Sequence, residues 1–162
     1  MLVTLKQILN LCEARMCAAG SFNTPNLESV MAVIGAAEEL NVPVIIQHAE
    51  VHEEIMPIEI IGPIMLELAK KAKVPVCVHL DHGETLDYVC KALNIGFTSV
   101  MYDGSVLPFE ENTANTKMVV FLRSRQVLLW KQRLDVWGSV KQVREAQQQE
   151  QIRIRYIRIR IW

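Results

Sequence analysis

Four times between residues 17 and 122 a short apolar run gives way to a stretch whose apolar residues recur at three and four. This alternation constrains the fold more than any other feature of the chain. The runs are "CAAGSFN" (17 to 23), "VPVIIQ" (42 to 47), "VPVCVHL" (74 to 80) and "FTSVMYD" (97 to 103), each short enough to be a buried strand. The periodic stretches carry helix signals. "NLESVMAVIGAAEELN" (26 to 41) opens on Asn26, has Glu28 in its first turn and stops at Asn41 and Pro43. "EIIGPIMLELAKKAK" (59 to 73) has Gly62 and Pro63 near its start and lysines in its last turn. "ETLDYVCKALNIG" (84 to 96) ends in Gly96, and "PFEENTANTKMVVFL" (108 to 122) begins a fourth helix. Successive strand–helix units with fully apolar strands predict an α/β fold, a parallel sheet covered by helices.

A doubly wound sheet and a (β/α)8 barrel both fit that pattern, and the strand ends favour the barrel. Asn23 closes the first strand, His48 the second, Asp81 and His82 the third, and Asp103 the fourth. Polar groups at consecutive strand ends converge on one site in a barrel, whereas an open sheet spreads them along an edge. The expected fold is therefore a partial TIM barrel of about four βα units. Val44, Ile46, Val76, Val78 and Val100 are expected on its inward face, with unpaired edges at the first and fourth strands.

"HLDHG" (79 to 83) is the densest chemical cluster. His79 and Asp81 share one strand face, and His82 lies at the strand end where geometry loosens. Imidazole can bind zinc and a neighbouring carboxylate can move a proton, but such residues can also just satisfy the following turn. Asp103 before Gly104, and Asn23, carry the same ambiguity between turn-former and site residue. His48 and His52 have the spacing of a helical metal pair, yet 47 to 50 reads as strand end and loop. The scattered methionines read as packing.

"GSFNTPNLE", "PVIIQ", "VHLDHGETLDYV", "GFTSVMYDGS" and "FEENTANTK" resemble, in order and spacing, the N-terminal half of class II ketose-bisphosphate aldolases, the fructose- and tagatose-bisphosphate enzymes. The resemblance covers residues 1–122. It implies a zinc-dependent (β/α)8 barrel, typically homo-oligomeric, that reversibly cleaves a phosphorylated ketose to dihydroxyacetone phosphate and an aldehyde phosphate. It also implies that Asp81 is the catalytic acid/base, that His82 is a zinc (Zn2+) ligand, that Asp103 can hold a second metal ion, and that Asn23 lies near substrate. Ala49 stands where the family often has serine, which leaves the choice of sugar open.

Residues 123–162 do not continue the resemblance. After Lys117 come ten of the seventeen Lys and Arg but three acidic residues, and Gly138 is the one glycine. Back-translated with permitted codons and read one nucleotide earlier, "LWKQRLDVWG" (129 to 138) becomes "SVEAEIGCMG", similar to the family's next motif. The same shift turns "IRIRYIRIRI" (152 to 161) into "DKDKIYTDPD", again family-like. The expectation is a frameshifted tail from about residue 123, with Arg133 where the family has a metal-binding carboxylate. The chain as written would then be a truncated, inactive and poorly soluble copy, since a catalytic zinc needs three protein ligands. The tail from Arg123 to Gln151 shows no core-filling pattern, and "QIRIRYIRIRIW" alternates as a β-prone segment.

Two other functions stay open: a non-catalytic half-barrel that acts by pairing with another chain, and a metal-dependent hydrolase built on His48, His52, His79 and His82. A net charge of -1 argues against a nucleic-acid or acidic-membrane partner. No apolar run approaches the ~20 residues of a membrane span, and the charged N-terminus is unlike a signal peptide. Four cysteines without metal-finger spacing read as reduced thiols in a cytoplasmic protein.

Overall fold

A computed structural model of the chain describes residues 1–129 and 135–137. The elements are α1 (Leu5–Arg15), β1 (Gly20–Asn23), α2 (Leu27–Leu40), β2 (Val44–Ala49), α3 (Ile58–Lys71), β3 (Val76–Gly83), α4 (Leu86–Ile95), β4 (Ser99–Tyr102), α5 (Phe109–Leu129) and β5 (Asp135–Trp137). A single 3-10 turn, Glu50–His52, follows β2. The strands form one parallel sheet in the order β1-β2-β3-β4-β5. A doubly wound sheet reverses its order at a switch point. This one runs in sequence without reversal, so it is a segment of a (β/α)8 barrel.

Local chemistry sets the helix ends. Asn26 caps α2 by accepting from the Ser29 N–H at 2.9 Å, and Asn41 ends it in the left-handed region at φ 52°. Thr85 accepts from the Tyr88 N–H at 3.2 Å to start α4, and Gly96, at φ 111°, stops it. Among the described residues no helix is long and apolar enough to cross a membrane.

The core has two unequal parts. The larger joins Val44, Ile46, Val76, Val78, Leu80 and Val100 to Val30, Ile34, Ile61, Met65, Val89 and Leu93 of the helices. The valines and isoleucines expected on the inward face therefore point outward, under α2, α3 and α4. A run that is apolar at every position does not reveal which parity faces the helices. The opposite face is less apolar. Ile45 and Cys77 on it pack against Leu5, Ile8 and Cys12 of α1. The chain start is pinned there too: the Val3 N–H donates to the Val76 carbonyl and the Val76 N–H to the Met1 carbonyl, both at 2.9 Å.

The fourth strand is not an edge. β5 pairs with it in the register Ser99↔Asp135, Val100↔Val136 and Met101↔Trp137, so the edges are β1 and β5. Helix α5 runs on to Leu129. The sequence beyond 122 thus supplies the last turns of α5 and one short strand. Residues 138–162, including the 152–161 repeat, lie outside the described residues.

Candidate functional site

The strand register brings the candidate residues to one end of the sheet. Asn23 pairs with Gln47, Gln47 with His79, and Ala49 with Asp81. Asp103 follows β4 directly, its N–H donating to the Gly83 carbonyl at 2.8 Å. Asp81 is partly buried. Its Oδ2 accepts from Gln47 Nε2 at 2.7 Å, and Gln47 Oε1 in turn accepts from the Ser21 hydroxyl. Gln47 is thus a site residue that the strand pattern passed over. The available signal was a polar amide closing a buried apolar run, next to His48.

His82 departs from strand geometry. The β3–β4 register shifts between Leu80 and Gly83, and His82 takes φ 45°, a left-handed conformation uncommon outside glycine. Gly83 fits because a Cβ there would lie 2.8 Å from Leu80 Cδ2 and from Val89 Cγ2. The bulge breaks the alternation, so two successive residues reach the same site. His82 Nδ1 donates to Asp103 Oδ2 at 2.6 Å, and its Nε2 lies 3.9 Å from Asp81 Oδ1. The hydrogen bond to Asp103 raises the His82 pKa; burial opposes and the Asp81 charge assists. For Asp103, burial acts upward but is outweighed by the bonds to His82 and Ser105, and its carboxyl is held below its ordinary value. Asp103 uses its two oxygens separately. Oδ1 accepts from the Ser105 N–H at 3.1 Å to form the turn, and Oδ2 faces His82.

Asn23 is exposed on edge strand β1, in register with Gln47 and two strands from Asp81. His79 lies deeper on the site face, its Nδ1 2.8 Å from Ser99 Oγ. Burial, helped by the neighbouring His82, lowers its pKa to about 4 and keeps it neutral. His48 alternates to the helix face, fully buried, with both ring nitrogens unpartnered. The hydrolase reading needed His48 and His79 to converge. They lie on opposite faces of the sheet.

The donor chemistry suits one metal ligand. A carboxylate fixing one imidazole nitrogen while leaving the other free is the usual support of a metal-binding histidine. Asp103 and His82 have that arrangement. Among the described residues, however, no group of three or more His, Cys, Asp or Glu is placed to hold a metal ion. The described residues therefore do not complete a catalytic zinc site.

A sequence model of fructose-bisphosphate aldolase class II matches residues 3–128. The chain belongs to the class II fructose-bisphosphate aldolase family. It is 44% identical over 120 residues to the fructose-bisphosphate aldolase of Thermus caldophilus, covering 74% of this chain and 39% of that protein. It is 40% identical over 124 residues to the 6-phospho-5-dehydro-2-deoxy-D-gluconate aldolase of Halalkalibacterium halodurans, covering 74% and 42%. The crystal structure of the YdjI aldolase from Escherichia coli K12 superposes with a TM-score of 0.74 at 32% identity. That match covers 84% of this chain and 50% of the other. The chain spans about two-fifths of the length of these curated relatives.

Proposed function

We propose that the complete protein is a zinc-dependent lyase, one that reversibly cleaves a phosphorylated ketose to dihydroxyacetone phosphate and an aldehyde phosphate. The observation that carries this is the Asp81–His82–Asp103 cluster at adjoining strand ends, in a chain of this family. Asp81, held by Gln47, takes the C4 hydroxyl proton in cleavage and returns it in condensation. Asp103 fixes the His82 ring so that Nε2 is free to ligate metal. Zinc, when bound, supplies Lewis-acid polarisation of the ketose carbonyl. Asn23 lies on the substrate side. The named relatives divide between fructose bisphosphate and a phosphorylated deoxy keto acid. Ala49, in register with Asp81, is a position through which such a choice could be made. A cytoplasmic homo-oligomer belongs to the same proposal.

The 162-residue chain itself is a different matter. With one zinc ligand among its described residues, it is proposed to be inactive, its sequence from about residue 123 being read in a shifted frame. The strand at Asp135–Trp137 lies within the segment whose shifted reading resembles the family's next motif. The nucleotide sequence around codons 120 to 125, with about 600 bases downstream, tests the proposal. It should continue one frame away as "SVEAEIG" and later encode two histidines; unrelated sequence in every frame would sink it. The frame-restored protein should cleave fructose 1,6-bisphosphate or a related ketose phosphate and lose activity to chelators.

The open edges at β1 and β5 favour a second reading for the chain as written, a non-catalytic half-barrel that acts through association with another chain. Co-purification as a stable heteromer without aldolase activity would select it.

A further inference from the structure

Helix α1 ends in a left-handed cap shortly before β1 begins at Gly20. Met16 takes φ 50°; its N–H donates to the Glu13 carbonyl at 3.2 Å, and the Cys17 N–H reaches back to the Cys12 carbonyl at 3.0 Å. This is a Schellman turn, in which the side chains four residues before the left-handed residue and just after it commonly meet. Here both are cysteines. Cys12 is buried in the apolar cluster with Ile8, Ile45 and Cys77, and Cys17 is exposed.

The backbone bond bounds their separation. Adding standard peptide dimensions to its 3.0 Å puts the two Cα atoms within about 7 Å, the upper limit of disulfide geometry. That backbone bond holds the two residues together in the folded turn, so a bridge between them spans a single helix end. Cys77 is buried with Sγ 3.5 Å from Thr98 Oγ1, and Cys90 lies on α4.

We propose that Cys12 and Cys17 form a dithiol–disulfide couple, a modification site whose reactant is a small-molecule disulfide of the glutathione type. Exposed Cys17 loses its proton to solvent and its thiolate attacks one sulfur of that disulfide. The S–S bond breaks, one small-molecule thiolate leaves, and a mixed disulfide stands on Cys17. Cys12 then loses its proton and attacks Cys17 Sγ, and the second small-molecule thiolate leaves. Two protein thiols are oxidised to one disulfide and one small disulfide is reduced to two thiols, so electrons and atoms balance. Burial first, and then the nearness of Cys17, hold the Cys12 thiol above its ordinary pKa, with Arg15 opposing.

The experiment exposes the full chain to oxidised glutathione, quenches in acid, unfolds, alkylates, and digests with trypsin. Cleavage after Arg15 separates the two cysteines, so only a disulfide can keep their peptides together. The expected product is that linked pair, with Cys77 and Cys90 alkylated and two hydrogens lost from the intact mass. Cys12→Ser should accumulate the mixed disulfide on Cys17, and Cys17→Ser should leave Cys12 unreacted. Closure should be at least about tenfold faster in native buffer than in denaturant, because the folded turn holds the thiols together. Equal rates, a persistent mixed disulfide in the unsubstituted chain, or a bridge to Cys77 or Cys90 would each overturn the proposal.

Discussion

Replacing His48 with leucine should make the protein more stable and less sensitive to acid. The ring is fully buried among helix-facing side chains, and neither nitrogen has a hydrogen-bond partner. The groups facing it are His52, with ring centroids 5.4 Å apart, and Glu53. A buried polar group without a partner costs about 1–3 kcal/mol, so an apolar side chain of similar volume should recover about 1–2 kcal/mol at pH 7.5. Burial, then the His52 charge, lower the His48 pKa from 6.5 to about 4. As pH falls below 6.5 the unfolded chain therefore takes up a proton that the folded chain refuses, and stability is lost until about pH 4. At about 1.36 kcal/mol per pH unit, the loss attributable to His48 between pH 6.5 and 5 is about 2 kcal/mol. His48→Leu should remove that part and leave the similar contribution of His79, also lowered to about 4. Pulse proteolysis across a urea series, at sub-micromolar protein, measures both effects. Lower stability at pH 7.5 together with an unchanged acid slope would show that the ring nitrogens are satisfied after all.

Gly83→Ala should destabilise by about 1–3 kcal/mol in the same assay, since the new Cβ meets Leu80, Val89 and, at 3.1 Å, the Met101 carbonyl. In the frame-restored enzyme, Asp81→Ala should lower turnover by roughly 10²–10⁴-fold with zinc retained, whereas His82→Ala should lose the metal. Metal analysis beside the cleavage assay separates the two; zinc loss with full activity per metal in Asp81→Ala would reverse the assignment. The 162-residue chain should show no aldolase turnover and should self-associate through the alternating apolar and basic residues of 152–162. Sedimentation should return it to monomer when that segment is deleted, and a monomeric intact chain with a cooperative melt would refute this.

What the sequence revealed depended on whether the controlling physics was local. Asn26, Asn41 and Gly96 mark helix ends through their own side chains or backbone freedom, and all three sit at the expected boundaries. The polar strand ends were equally visible, because Asp81, His82 and Asp103 interrupt apolar runs. Strand parity was not. Val44, Ile46, Val76 and Val78 lie in runs apolar at every position, and only the packing of α2 to α4 decides which face they occupy. The bulge at Leu80–Gly83 was hidden for a related reason. Nothing in "HLDHG" announces that His82 will turn left-handed; the register with β4 imposes it. β5 was missed because a three-residue pairing along β4 owes more to the open edge than to its own pattern.

That bulge is also where fold and site are one structure. Before it, Asp81 is tied across to β2 by Gln47. After it, the Gly83 carbonyl accepts from Asp103, and Glu50 accepts from the Glu84 and Thr85 N–H groups at 2.6 and 3.0 Å. The strained His82 is therefore fixed on both sides by contacts within residues 47–103, none of which needs the rest of a barrel. The metal ligation proposed for His82 differs, because no group of three or more His, Cys, Asp or Glu among the described residues is placed to hold a metal ion. In the proposed function, acid–base geometry and metal binding are thus separable. A polypeptide carrying the later βα units should be able to restore the second without having to rebuild the first.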